Sequence, residues 1–318
     1  MNAYGLSLIM KMGCWCIKEK ITVNGKRYVV IQRLAEGGFS VIDLIENAST
    51  KRKFALKRVS CHSREDESIA KREIEISKIV QHKNVIDVVD YELRGCADIV
   101  LNTVSKLDIV LPYFRNGTLA DHLLVRSKTN NYMSEGQILQ IFLGICEGLR
   151  AFHEASPAPL AHRDLKTANI CLSDTMEPII IDLGSASEAR VEVRSQAAAQ
   201  RLQDLAEERC TITYRPPELF CVNSHCTIDE RTDIFSLGCC LYALCYFKSP
   251  YDAAYERGDS VALAVMSGNV NFVNNAPYSQ GLKSLIESML SQNIQERPFI
   301  GEVIAKTTDL VNKLEHRI

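Results

Sequence analysis

The chain has 318 residues, 46% of them hydrophobic, and its 37 Lys and Arg stand against 39 Asp and Glu for a formal net charge of −2. That is enough apolar sequence for a sizeable core and enough length for two lobes, whereas the charge balance and the lack of a Lys/Arg block exclude nucleic acid as a partner. Twelve cysteines without a secretory signal read as reduced thiols of a cytoplasmic protein, not as a disulfide framework.

Residues 1–19 form a leader without a domain pattern. From Lys20 the chain alternates as strands do. Tyr28-Val29-Val30-Ile31, then Leu34 to Ile42 around Gly37-Gly38, then Lys53-Phe54-Ala55-Leu56-Lys57 read as strand, glycine turn, strand, strand. A glycine pair between strands is also an ordinary hairpin, and Lys57 also fits a solvated face, so neither carries chemistry alone. The pattern predicts a helix over Glu65 to Val80, on which Glu73 shares a face with Ile69, Ile76 and Val80. A carboxylate turned toward buried neighbours needs a cationic partner. Glu65, Glu67 and Glu75 on the same helix are ordinary solvated acids, so periodicity alone leaves that reading of Glu73 open.

A further strand, Asp108 to Leu111, runs into a linker from Pro112 to Gly117, and beyond it the pattern turns helical. Ser134 caps a helix with Gln137 answering three residues later, and Ile138, Ile141, Ile145, Leu149 and Phe152 recur on one face. His162-Arg163-Asp164-Leu165-Lys166-Thr167-Ala168-Asn169 precedes two short apolar runs, Ile170 to Leu172 and Pro178 to Ile181, separated by a Ser173-Asp174 corner. They read as a hairpin, which returns the chain to its start and brings Asn169 beside Asp182. Two such oxygen ligands can hold magnesium against phosphate. Arg194 to Glu208, rich in alanine and free of Gly and Pro, predicts a helix where an open loop would otherwise run. Ile234 to Phe247 is the longest apolar run, shorter than the ~20 residues that cross a bilayer, and reads as a buried helix. Cys221, His225 and Cys226 fall short of the four ligands of structural zinc and read as scattered side chains. Together these elements predict one α+β domain over 20–318: a small antiparallel-sheet lobe with one main helix (20–112), a hinge (113–117), and a larger, mostly helical lobe (118–318).

Ala35-Glu36-Gly37-Gly38-Phe39-Ser40, Phe54 to Lys57, Glu73, His162 to Asn169, Asp182-Leu183-Gly184, Pro216-Pro217-Glu218 and Asp233 follow the order of the protein-kinase signatures. The chain resembles that superfamily over nearly its whole length. Gly37 to Ser40, Cys210 to Arg215, Ile228 to Asp233 and Gly258 to Val265 resemble more closely the myristoylated and palmitoylated serine/threonine kinases of the Numb-associated kinase family.

The resemblance implies a bilobal kinase fold and gives the residues roles. Lys57, fixed by Glu73, holds the α- and β-phosphates of ATP; Asp164 orients or deprotonates the acceptor hydroxyl; Lys166 steadies the transferring phosphoryl group; Asn169 and Asp182 bind Mg2+, with Mn2+ as the alternative. Lys166 and Thr211 match serine/threonine kinases, with protein Ser/Thr hydroxyls as acceptors. Ala35, Gly37, Gly38 and Ser40 form the turn over the phosphates. Ile42, Ala55, the gatekeeper Leu111, Tyr113 and Phe114 of the hinge, and Cys171 surround the adenine. Glu218 pairs with Arg297, and the helical insertion near residues 194–208 holds the substrate platform without activation-loop phosphorylation. Departures from the common pattern are Ala35 and Ser40 at the outer glycine positions, Leu183 for Phe, Pro216 for Ala, and Cys171 for a bulkier residue. For the leader, the resemblance implies a start at Met12, myristate on Gly13, palmitate on Cys14 or Cys16, and a monomer at Golgi or perinuclear membranes. The alternative is a pseudokinase or scaffold, and survival of the lysine, the base and the metal ligands argues against it.

Overall fold

The computed structural model describes residues 19–37, 40–273 and 276–316. Gly38 and the leader positions Met12, Gly13, Cys14 and Cys16 lie outside the described residues.

The alternating start of the chain forms β1 (Lys20–Val23), β2 (Lys26–Glu36), β3 (Ser40–Asn47) and β4 (Lys53–Cys61). Asn24-Gly25 joins the first two with both residues at positive φ, +46° and +76°, the backbone that a two-residue hairpin turn requires. α1 (Arg64–Ile79) crosses behind, and β5 (Asp90–Arg94) and β6 (Ser105–Pro112) complete a six-stranded antiparallel sheet in the order β1-β2-β3-β4-β6-β5. Ser63 caps α1 reciprocally with Asp66, three residues on. The buried stripe of α1 is Ala70, Glu73, Ile74, Ile76 and Ser77. Ile69, expected on that face, sits at its border and is 37% exposed.

The larger lobe begins with α2 (Leu119–Ser127) and α3 (Glu135–His153), the second opened by the expected Ser134 and Gln137 box. Ile138, Phe142, Ile145, Leu149 and Phe152 of α3 are fully buried. α3 also carries Gly148, where a Cβ would lie 2.8 Å from the Asn84 carbonyl oxygen, so only glycine lets the helix pass the chain that descends from the small lobe. β7 (Leu160–Ala161), β8 (Ile170–Leu172) and β9 (Pro178–Ile180) follow, β8 and β9 pairing as the expected hairpin. Next come β10 (Ser187–Glu188), β11 (Val191–Val193), α4 (Gln196–Arg209) and β12 (Cys226–Ile228). α4 is the helix expected in this segment, with Ser195 as its N-cap, and Ala199 and Ala206 bury it on Val193, Leu219, Val222 and Ile228.

α5 (Arg231–Tyr246) is buried along its whole length, as its apolar run predicts, and α6 (Asp252–Glu256), α7 (Val261–Met266), α8 (Gln280–Met289) and α9 (Ile300–Glu315) surround it. The result is an antiparallel-sheet lobe above a helical lobe. A buried ion pair pins the segment after α4 to this lobe: Arg297 donates to Glu218 Oε1 and Oε2 at 2.7 Å each, and its side chain is fully enclosed. Breaking a buried pair leaves an uncompensated charge. Because Arg297 retains the carbonyls of Ser291 and Arg231, Glu218→Ala is expected to cost about 3 kcal/mol, the low end of the buried-pair range. Urea unfolding measures it, and a loss under ~1 kcal/mol, the level of an exposed pair, would contradict this account.

Candidate active site

Pairing of β4 with β3 and β6 sets Lys57 opposite Ile42 and Ile109, and the pleat sends its side chain under the sheet toward α1. There Lys57 Nζ lies 2.6 Å from Glu73 Oε2 and 3.1 Å from Asp182 Oδ1. Burial works to lower the lysine pKa, but the two carboxylates outweigh it and hold the value above the usual lysine range. For Asp182, burial pushes upward and the charge and hydrogen bond of Lys57 prevail, so its pKa is lowered. Glu73 is the most enclosed of the three, and burial raises it against the pull of Lys57.

The hairpin of β8 and β9 delivers the second half of the site. The Ile181 N–H donates to the Asn169 carbonyl oxygen at 2.8 Å, which closes the open end of the hairpin and places Asn169 and Asp182 at one edge of the cleft. Asp182 has φ +60°, and Arg163 has φ +67°, left-handed backbone at non-glycine residues on either side of the site. Asn169 spends its amide nitrogen on Asp164, at 2.9 Å to the carbonyl oxygen and 3.1 Å to Oδ2, so its carboxamide oxygen is the end left for the cleft. An amide oxygen and a carboxylate are hard donors, and a divalent cation of the magnesium kind fits that set.

Asp164 uses both carboxylate oxygens. Lys166 Nζ lies 2.8 Å from Oδ2, while Thr211 donates to Oδ1 from its backbone N–H at 2.9 Å and from its hydroxyl at 2.6 Å. The same hydroxyl accepts from Lys166 Nζ at 2.6 Å. Asp164, Lys166 and Thr211 therefore share one small polar network, formed from segments 45 residues apart or more.

The cleft beside it has a volume of about 570 Å3, in the range of small-molecule sites. Ala35, Ser40, Ile42, Ala55, Leu111, Tyr113, Phe114 and Cys171 line it, together with Lys57, Glu73, Asn169 and Asp182. Burial pushes the Cys171 thiol up to about 12, so it contributes a neutral apolar surface. Gly37 stands apart from this lining; its N–H donates to the Ser40 carbonyl oxygen at 2.8 Å and closes the turn above. Asp164, Lys166 and Thr211 also lie outside the lining. Sequence reasoning misses Thr118 and Asp121 at the hinge end of the cleft, although their spacing forms a capping box for α2.

A second layer sets the loop that carries Asp164. Asp233, buried on α5, accepts from the backbone N–H groups of His162 at 2.7 Å and Arg163 at 3.0 Å, and its Oδ2 lies 3.1 Å from His153 Nε2. His153 is a third residue that the sequence does not single out. Arg163 donates onward to the carbonyl oxygens of Glu188 and Ala189, tying the loop to β10.

Comparison with known proteins matches residues 28–307 to the protein kinase domain. The chain is 42% identical over 293 residues to serine/threonine-protein kinase 16 of Homo sapiens and 40% identical to its counterpart in Rattus norvegicus, in each case covering 92% of this chain and 93% of that protein. It is 28% identical over 344 residues to serine/threonine-protein kinase ENV7 of Saccharomyces cerevisiae, covering 91% of this chain and 93% of that protein.

The electrostatics of Asp233 have a consequence for stability. Burial would raise its carboxyl, but the hydrogen bond and charge of His153 prevail and hold it below the ordinary value of 3.8. A depressed folded-state pKa gives stability that is complete above the unfolded value and is lost as pH falls through the folded one. Asp233→Asn is therefore expected to be less stable than the parent at about pH 7 and to lose less on going to about pH 3. Urea titrations across that range check it; parallel pH slopes for the two proteins would refute it.

Proposed function

The chain belongs to the protein kinase domain family and is a serine/threonine protein kinase, and from that premise we propose which of its residues carry the reaction. The γ-phosphoryl group of ATP passes to a protein Ser or Thr hydroxyl, with ATP in the 570 Å3 cleft and the acceptor at Asp164. The observation that carries this reading is the union of two networks in one place: Lys57 with Glu73 and Asp182, and Asp164 with Lys166, Asn169 and Thr211.

Lys57, held charged between two carboxylates, faces the α- and β-phosphates. Asp164 orients the acceptor hydroxyl and takes its proton at the carboxylate. Lys166 offsets charge on the transferring group, and Thr211 fixes both in position. Tyr113 and Phe114 in the hinge, 113–117, present backbone to the adenine edge below the gatekeeper Leu111. Asn169 and Asp182 would hold Mg2+, or Mn2+ in its place, which when bound neutralises charge developing on the phosphates. α4, capped and packed on its own apolar cluster, holds the acceptor platform without phosphorylation of the segment.

The membrane part of the reading rests on the leader and its resemblance to acylated kinases. Translation from Met12 exposes Gly13 for myristate, and Cys14 or Cys16 takes palmitate; one acyl chain binds membrane marginally and two bind stably. No helix among the described residues is long and apolar enough to cross a membrane. The resemblance points to the cytoplasmic face of Golgi or perinuclear membranes, to a role in trafficking or signalling, and to a monomer.

Lys57→Ala, Asp164→Ala and Asp182→Asn are each expected to lower phosphate transfer from ATP to a serine/threonine acceptor such as casein by about 100-fold or more while leaving a folded protein. Comparable turnover by the purified Asp182 variant would falsify this assignment of the site. For the leader, intact-mass analysis of protein expressed from its native gene is expected to show a chain starting at acylated Gly13. An unacylated product starting at Met1 or Asn2 removes the lipid anchor.

A further inference from the structure

The turn between β5 and β6 exposes three consecutive branched aliphatic side chains. Ile99, Val100 and Leu101 are 76%, 92% and 72% accessible, although a folded surface normally scatters such residues singly. The turn is also closed on itself. The N–H groups of Val100 and Leu101 donate to Asp98 Oδ1 at 2.8 and 3.1 Å, Asn102 N–H donates to the Ile99 carbonyl oxygen at 3.3 Å, and Asp98 and Thr103 exchange backbone bonds at 3.1 and 3.0 Å. Its base is fixed: the Thr103 hydroxyl donates to the Cys96 carbonyl oxygen at 2.7 Å, and the Ala97 N–H donates to Glu67 Oε1 of α1 at 2.7 Å.

We propose that this tip inserts into the interfacial region of a lipid bilayer. A protein partner would need a cavity matched to a convex aliphatic knob, whereas acyl chains conform to one. Entry into hydrocarbon also demands that backbone donors be satisfied within the segment, and here four successive N–H groups, from Val100 to Thr103, are so satisfied. The Asp98 carboxylate, which accepts two of them, sits at the base with Asn102, at the depth of the polar headgroups.

The chain's own geometry supports the same surface. Asn24 of β1 bonds to Asp90 and Tyr91, at the start of β5, and the Thr22 carbonyl oxygen accepts from Arg94, at its end. Tracing β1 back from Asn24 to Thr22 thus runs toward the end from which the tip projects. Glu19, which precedes β1, continues in that direction, and the acylated leader of the proposed function precedes it in sequence. The tip goes beyond the acylated leader and takes only its setting from the membrane-associated reading.

The test separates the two. The full chain carrying Gly13→Ala, Cys14→Ser and Cys16→Ser, which leaves no acyl group to contribute, is sedimented with phosphatidylcholine vesicles at low and high salt. It is expected to bind at both, because the contact is apolar, and adding Ile99→Asp and Leu101→Asp is expected to lower the partition coefficient about tenfold or more without changing the rate of phosphate transfer. With Trp15→Phe and Val100→Trp, the single tryptophan then at the tip should shift to the blue and be quenched by brominated lipid. No vesicle binding by the acyl-free chain, equal binding by the aspartate variant, or an unquenched tryptophan overturns the proposal. A dimer in solution that the aspartates dissociate, with no effect on vesicles, assigns the tip to a second copy of the chain and overturns it too. Failure of the acyl anchor shows in the mass of the native product and leaves these outcomes unaltered.

Discussion

A lysine ammonium enclosed at the junction of two lobes constrains everything around it. Lys57 cannot stay charged in that place without the carboxylates of Glu73 and Asp182, which come from α1 and from the end of the β8–β9 hairpin. The three groups therefore fix three elements relative to one another: the sheet that carries the lysine, the helix that must lean in, and the hairpin that must reach up. Leu183, next to Asp182, is fully buried and packs the turn it opens against α1, so apolar contact holds the geometry that the charges require. The substitution of Leu for the commoner Phe keeps an apolar residue at that contact.

The larger lobe meets a different demand. The loop carrying Asp164 contains left-handed backbone at Arg163 and must nonetheless hold its carboxylate steady. α5 supplies the rigidity, because a helix buried along its length has no solvent-facing side on which to move. From it Asp233 clamps two successive N–H groups of the loop, and Thr232 accepts from the Arg163 guanidinium. Polar groups in this interior sit where an irregular backbone has to be held, and the aliphatic core does the rest.

Short-range chemistry accounts for most of what the sequence discloses. The box at Ser134 depends on residues three apart, the hairpin after Asn169 on two apolar runs and a polar corner, and α4 on propensity within fourteen residues. The inward turn of Glu73 is legible because a carboxylate on an apolar stripe conflicts with its surroundings. Less legible were contacts between distant segments. His153 ends a helix whose apolar face already explains itself, and nothing local to it points to Asp233, 80 residues on. The run Asp98 to Leu101 is settled by its own turn: Asp98 accepts from two N–H groups, and the three aliphatics that follow it stay outside. Ile69 shows the limit of a helical wheel, which gives direction around the axis and not the edge of the surface being covered.

The clamp from Asp233 also bears on the order in which the protein becomes an enzyme as it is made. The loop that carries Asp164 is synthesised some seventy residues before the carboxylate that shapes it. A chain emerging from the ribosome has a complete sheet lobe and the full sequence of the loop carrying Asp164 well before α5 is available to organise that loop. The nascent chain thus carries that loop without its clamp until the buried helix has closed behind it.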